Sequence, residues 1–310
     1  AASYTAVRSI LPDGIPNNEG VFRVIDVTAP PGTIANNMLP AACAARGLTG
    51  FRMVDCIFGA LAKMLPDKVC AASDGGNSGV SIGGYDAERK PYIYVDFACG
   101  TWGGRPWGDG LQGNSNIFAN MASQSVEVIE AEQPVEILAY ELLPDRAGAG
   151  QYRGGAPYYR DYRFTEKEAV LQVRSDRARF RPYGLYGGMP GQPSANYLNP
   201  LGNNQKLTSK PTMMIQEGDV FRHELAGGGG WGDPLDRDPD RVLRDVRDEL
   251  VSMTSAESDY GVIIDACSMT VNETATSSLR EEMRAKRASS KPSFVSWDDD
   301  GTEKALEAAE

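Results

Sequence analysis

A single histidine, His223, stands among the 310 residues of this sequence. That scarcity excludes whole classes of hydrolytic site: a two-histidine metal centre, a H-E-x-x-H zincin, and any centre needing one histidine as ligand and another as base. A catalytic triad would have to be built on His223, and no G-x-S-x-G elbow accompanies it. A structural histidine in a strand beside Glu224 is the simpler reading. The five cysteines, Cys43, Cys56, Cys70, Cys99 and Cys267, are odd in number, widely spaced and free of any C-x-x-C. Neither a disulfide framework nor a zinc knuckle is indicated, and reduced, mostly buried thiols are expected. No stretch approaches the roughly 20 apolar residues that cross a bilayer, and Ala1 to Leu11 lack the basic start and apolar run of a signal peptide. A soluble, cytoplasmic protein is expected. Basic side chains are outnumbered, 31 against 42 acidic, for a formal charge of −11. That balance disfavours nucleic acid and anionic membranes and points to small molecules or protein partners.

What is present is an ordinary globular composition, 41% hydrophobic, able to bury one large core or two modest ones. The first eleven residues read as the tail of a helix that begins abruptly with no N-cap, as in a chain truncated or processed at its start. Val21 to Ala29 alternates and reads as a strand. From Phe51 to Leu65 the apolar residues follow helical spacing, with Thr49 as N-cap and Pro66 as stop. Ala71 to Met121 is dominated by glycine, asparagine, aspartate and tryptophan around one clear strand, Tyr92 to Ala98. A β-rich run follows: Ser125 to Glu130, Val135 to Leu143, Tyr158 to Phe164, Ala169 to Arg174, Thr212 to Ile215 and Val220 to Leu225. Asp238-Pro239 opens a helix, and a second amphipathic helix lies near Glu273 to Arg287. The polar, acidic tail beyond Ser289 reads as loosely held.

The predicted fold class is therefore α+β, a β-rich antiparallel core with flanking helices and glycine-rich loops, and two helices near the C-terminus. Residues 1–124 form the glycine-rich loop and helix region, 125–235 the β-rich region, 236–288 a helical region and 289–310 the tail.

Several loops invite chemistry. Gly227 to Gly232 formally satisfies G-x-G-x-x-G, but Asp233, Asp236 and Asp238 put negative charge where a phosphate would sit, so a structural or substrate-facing loop is the better reading. Ser73 to Gly79 permits an anion-wrapping nest, yet no G-K-[ST] follows; a tight turn and a substrate-lining loop both remain open. Gly103 to Gly110 sets Arg105, Asp109 and Trp107 among glycines. Arg174, Asp176, Arg177, Arg179 and Arg181 form a basic cluster suited to carboxylates or phosphates, or to internal acids and a partner surface.

Four strings carry a resemblance: IPNNEG at Ile15 to Gly20, GAGQYRGG at Gly148 to Gly155, RFRPYGLYGGMPG at Arg179 to Gly191, and EGDVFRHELAGGGGWGDPLDRDPDRVLRDV at Glu217 to Val246. In order and spacing they resemble the carboxy-terminal half of the hydantoinase B family, which includes part of the ATP-dependent 5-oxoprolinases and the related subunits of acetone and acetophenone carboxylases. The resemblance implies part of a hetero-oligomeric enzyme that opens cyclic amides of hydantoin or oxoproline type. It implies ATP and Mg2+ bound by a hydantoinase A-like subunit, and a divalent metal such as Zn2+ or Mn2+ in the amino-terminal half of hydantoinase B, not in this chain. Where many relatives carry H-x-H after Asp-Gly, this sequence reads Asp109-Gly110-Leu111-Gln112-Gly113-Asn114-Ser115-Asn116. An amide orients a carbonyl or a water but shuttles no proton at neutral pH, which gives weight to the alternative of a ketone carboxylase subunit. A non-catalytic scaffold is the further alternative. The candidate site is Asp74, Asn77, Asp109, Asn114 and Asn116 as catalytic groups, with Arg105, Arg174 and Arg177 binding substrate.

Overall fold

The computed structural model describes residues 1–43, 45–287 and 295–296. Its strands are β1 (Ser78–Tyr85), β2 (Pro91–Ala98), β3 (Val135–Leu142), β4 (Tyr158–Phe164), β5 (Glu168–Arg174), β6 (Gly184–Leu185), β7 (Ala195–Leu198), β8 (Gln205–Leu207), β9 (Thr212–Gln216), β10 (Val220–Glu224), β11 (Ile264–Asp265), β12 (Thr270–Val271) and β13 (Val295–Ser296). One antiparallel sheet runs β2-β1-β5-β9 and a second β3-β4-β10-β7-β8; β11 pairs with β12, and β13 with β6. Alternation decides which way each strand faces. Val80 and Ile82 of β1, Leu171 and Val173 of β5, and Ile215 of β9 meet Tyr162 and Phe164 of β4, Leu198 of β7 and Phe221 of β10 in one buried cluster. The two sheets are thus the halves of a sandwich, and each large side chain sealed between them contributes about 1.5–3 kcal/mol.

Helices α1 (Ala2–Ile10), α2 (Glu19–Phe22), α3 (Arg46–Ala62), α4 (Val126–Glu132), α5 (Pro239–Arg247), α6 (Met253–Ser258) and α7 (Glu273–Arg287) complete the chain. α1 and α3 build a second core, where Ala6, Val54, Phe58 and Ala62 pack with Val69, Tyr183 and Leu185. Around α5 and α6, Val242, Leu243, Val251 and Tyr260 form a third. The α+β class, the antiparallel sheets and both expected C-terminal helices are present, with the short α6 between them. Asp238 caps α5 by accepting from the Asp240 N–H, and Pro239 occupies its first turn.

Several local expectations are corrected. Val21 to Ala29 is no strand: Asn18 caps the short α2 by accepting from the Gly20 N–H, and Val24 and Val27 are exposed and pair with no strand among the described residues. The expected strand Ser125 to Glu130 is instead the start of α4, with extended Ser125 as its N-cap; Ile129 is the one buried residue of α4, and a single anchor fits a helical turn as well as a strand. α3 begins one turn before Thr49, with left-handed Ala45 at its N-cap. β1 was hidden by its glycines, since Val80 and Ile82 alone carry its inward face. The thiols are free, but Cys43, Cys56 and Cys267 are exposed and only Cys99 is fully buried. Of the tail beyond Ser289, all but Val295 and Ser296 lies outside the described residues. Among the described residues no helix is long and apolar enough to cross a membrane.

The centre that joins sandwich to helices is made of backbone. A Cβ on Gly227 would strike the Arg146 carbonyl oxygen, on Gly228 that of Trp102, on Gly229 that of Tyr183, and on Gly230 that of Ala149, back in the segment met by Gly227. The hydrogen bonds repeat in the same way: Gly227 N–H donates to Gln192, Gly228 to Gly155, Gly229 to Ala72, and Gly230 to Met189 in the segment that Gly227 reached. A pattern returning every three residues, with no bond inside the segment, is that of an extended threefold helix. Each face lies against a different neighbouring segment, so a methyl group has no direction in which to go.

Gly229→Ala is expected to cost about 3 kcal/mol or more, because rigid backbone must move to admit the methyl. Gly14, which has nothing near its missing Cβ, is the control. Thermal unfolding of both alanine variants checks this: equal melting temperatures would refute the close-packed reading.

Candidate functional site

The loop Ser73–Asn77 leaves the glycine-packed centre and turns into β1. Its N–H groups from Ser73 to Gly76 are not free for a ligand: those of Ser73 and Asp74 donate to Asp55 and Thr101, while Ser73 Oγ accepts from the Gly75 N–H and Asp74 Oδ1 from the Gly76 N–H, both at 3.0 Å. Gly75 and Gly76 have φ of +91° and +120°, which only glycine adopts without strain. The loop is therefore a tight turn rather than an anion nest. The Gly227–Gly230 N–H groups are likewise all bonded to protein carbonyls, so neither glycine segment offers a phosphate cradle.

Asp55, on the buried face of α3, ties this loop down. Its carboxylate accepts from Ser73 N–H and Oγ–H, and from Arg177 Nη2 at 2.8 Å. Burial pushes the Asp55 pKa up, with the Arg177 charge opposing. Asp74 is also buried, packed against Gly100. Desolvation raises its pKa to about 7, while the Gly76 N–H and the charge of Arg52 pull the other way. A carboxyl half-protonated near neutrality is suited to proton transfer. Asn77 is fully buried; its Nδ2 lies 2.9 Å from the Met121 sulfur and its Oδ1 has no partner among the described residues. Asn116 donates to Ser73 Oγ at 3.3 Å and accepts from the Phe118 N–H, whereas Asn114 is half-buried a short way along the same loop.

Arg177, itself in the left-handed region at φ +66°, and Arg52 of α3 pack over Gly75. In front of them opens a cavity of about 610 Å3, lined also by Arg174, Asp176 and Lys210. Asp176 bridges Arg52 and Lys210 at 2.8 Å each. Burial would raise the Asp176 pKa, but those two cations outweigh it and hold the carboxyl low.

Arg105 and Asp109 lie elsewhere. Arg105 folds onto its own loop, donating to the Asp109 carbonyl oxygen from Nε and Nη2 at 3.1 and 2.6 Å. The Asp109 carboxylate is gripped by both Arg237 Nη atoms at 2.7 and 2.9 Å, by Arg241 at 2.8 Å and by the Arg153 N–H. Burial pushes its pKa up, and these donors, Arg237 first, bring it below the ordinary value. Arg237 also holds Asp245 of α5. This hub fastens the Gly103–Gly110 loop to the C-terminal helices. His223 sits inside the sandwich, its Nδ1 2.7 Å from Asn196 Oδ1, and burial lowers its pKa to about 4. It is neutral at pH 7 and enclosed.

The structure thus gathers Asp74, Asn77, Asn116 and Arg177 around the face of α3, sets Arg174 at the cavity they adjoin, and separates Arg105 and Asp109 from them. The sequence reading missed Asp55, Arg52 and Lys210. Asp55 was detectable as a lone carboxylate on the stripe Phe51, Val54, Phe58; the others needed the fold. Among the described residues no group of three or more histidine, cysteine, aspartate or glutamate side chains could hold a metal ion.

The Hydantoinase B/oxoprolinase family model matches residues 1–234. An uncharacterized protein of Methanocaldococcus jannaschii is 36% identical over 265 residues, 85% of this chain and 46% of that protein. The B component of a putative D-/L-hydantoinase of Pseudomonas sp. NS671 is 31% identical over 271 residues, 85% of this chain and 45% of that protein. This chain therefore spans about half the length of these relatives. The crystal structure of the ATP-dependent caprolactamase of Pseudomonas jessenii superposes with a TM-score of 0.80 at 25% identity, over 90% of this chain and 50% of that one. Nucleotide-free acetone carboxylase gives a TM-score of 0.78 at 18% identity, over 99% of this chain and 45% of that one, which is a likeness of fold alone.

Asp74→Asn separates burial from charge. Because the Asp74 pKa lies near 7 when folded and near 3.8 in the unfolded chain, the folded state holds more protons between those values, and ionisation there costs stability as pH rises. The amide variant escapes this. Its stability relative to the parent should be unchanged below about pH 4, rise up to about pH 7 and stay level beyond. Urea unfolding from pH 4 to 8 checks it; a difference independent of pH would mean that Asp74 titrates normally.

Proposed function

This chain belongs to the hydantoinase B/oxoprolinase family, and from that premise we propose that it is part of the B-type component of an ATP-dependent, hetero-oligomeric enzyme that hydrolyses cyclic amides. The observation that carries this reading is the 31% identity to the B component of a putative hydantoinase across 85% of the chain; the fold shared with caprolactamase supports it. Hydantoin and caprolactam are both rings closed by an amide, whose carbonyl resists attack by water.

ATP, bound by an A-type partner, would supply phosphorylation of the amide oxygen and so a good leaving group. No group of three or more histidine, cysteine, aspartate or glutamate side chains among the described residues could hold a metal ion; on this reading the hydantoinase A-like partner would bind the nucleotide, and the amino-terminal half of hydantoinase B would carry a divalent metal such as Zn2+ or Mn2+. This chain's own contribution is to hold the ring and move a proton. Asn77 Oδ1, a buried acceptor with no donor among the described residues, accepts from the ring N–H. Water adds to the activated carbonyl carbon, the C–N bond breaks as the Asp74 carboxyl delivers a proton to the departing nitrogen, and a second water then releases the phosphate from the acyl phosphate left behind, giving the open-chain carboxylate. Asn116 keeps the Asp74 loop in place through Ser73. Arg105 and Asp109, bound into their ion-pair hub, act on the loop rather than on substrate.

The complex, purified with the chains that accompany it, is assayed with ATP and hydantoin, 5-oxoproline or caprolactam. The expected result is ring opening matched by ATP hydrolysis without bicarbonate, with Asp74→Asn lowering kcat about 100-fold or more. Incorporation of labelled bicarbonate into acetone or acetophenone, with every ring intact, would show a ketone carboxylase instead; no turnover by an intact complex would leave the scaffold.

A further inference from the structure

The cavity beside α3 has a charge imbalance that no protein group among the described residues corrects. Arg52, Arg174, Arg177 and Lys210 line it. Asp176 is shared by Arg52 and Lys210, and Asp55 is taken by Arg177. Asp74 also acts on Arg52 and Arg177, so four cations meet at most three carboxylates, and Arg174 is the one with no ion-pair partner among the described residues. The Nε of Arg52 is buried and has no hydrogen-bond partner there either. In a protein whose net charge is −11, this concentration of unanswered positive charge is local and directed at one space. The volume, about 610 Å3, is that of a small-molecule site.

The remaining walls are mixed: Thr49, Gln172 and Thr212 are polar, and the side chains of Leu48, Phe180 and Ile34 supply an apolar stretch, the last two mostly exposed at 59% and 84%, as at an open mouth. Arg174 leaves β5 on the outer face of its sheet, opposite Gly79 of β1, where no Cβ crowds its guanidinium. A planar guanidinium with free donors fits a carboxylate in two parallel hydrogen bonds.

We propose that this cavity is a binding site for a small organic acid, its carboxylate held by Arg174 with Arg52 behind, and its hydrocarbon body laid against Leu48 and Phe180. The site rests on the cations and the cavity alone and stands or falls apart from the ring-opening reading.

The test is calorimetric titration of the protein, with the chains it assembles with, using sodium hexanoate, sodium acetate and inorganic phosphate as probes, without ATP or turnover. Hexanoate is expected to bind saturably and more tightly than acetate or phosphate. Arg174→Gln, which breaks no ion pair, should weaken hexanoate at least tenfold with an unchanged melting temperature. Asp176→Asn, which releases Arg52 and Lys210, should strengthen it several-fold; should that variant fail to fold, Arg174→Gln alone decides. The proposal is overturned by absent hexanoate binding, by binding that Arg174→Gln leaves untouched, by phosphate binding more tightly, or by acetate matching hexanoate.

Discussion

Everything in this protein is hung on a backbone-to-backbone contact at Gly227–Gly230. Three neighbouring segments, at Arg146 to Ala149, Trp102 and Tyr183, approach until their carbonyl oxygens occupy the places of the missing side chains, and every N–H in the run is spent on other segments, at Gln192 and Met189, Gly155 and Ala72. The hydrogen bonds Gly229 to Ala72 and Gly104 to Gly229 fix the two segments from which the Ser73–Asn77 and Gly103–Gly110 loops emerge. The positions of Asp74 and Asp109 therefore follow from four residues that carry no functional group. Close backbone packing of this kind is stiff, because it leaves no side-chain rotamers through which strain can relax.

Around that centre, buried charge is matched pair by pair. Asp55 answers Arg177, Asp245 and Asp109 answer Arg237, and within the sandwich Asp96 of β2 accepts from Arg160 and Tyr162 of β4 at 2.5 and 2.6 Å. Such pairs add little net stability over well-packed apolar groups, but breaking one strands a charge in the interior and costs about 3–5 kcal/mol. They act as locks on register: Asp96 and Arg160 come from different sheets, Asp109 and Asp245 from a loop and a helix. Against this matching, Arg174 has no ion-pair partner and the buried Asn77 Oδ1 no hydrogen-bond donor among the described residues.

The loops also show why composition misleads about role. Arg105, Asp109 and Trp107 among glycines look like a binding loop, yet the carboxylate is consumed by Arg237 and Arg241, which lie more than a hundred positions away in the chain. Asp74 looks like any turn aspartate, and only its burial against Gly100 moves its pKa. Short windows fail in the same way at Ser125 to Glu130, where alternation is real but a single buried residue, Ile129, leaves the period undecided.

The sequence by itself determined the α+β class, most long strands, the start of α5, α7 with its boundaries, the glycine-rich segments and, through its long shared strings, the family. These features are written locally, in the alternation of β4 and β5, in the Asp238-Pro239 cap, and in glycines that no other residue could replace. Only the tertiary structure decided which charges are spent and which remain. Asp109 became a structural tie, Asp74 a group that titrates near neutrality, and Arg174 the cation left over at the cavity. The physical reason is that a charge is defined by its surroundings: the desolvation and the opposing charges that set it come from segments far apart in the chain, brought together only by the fold.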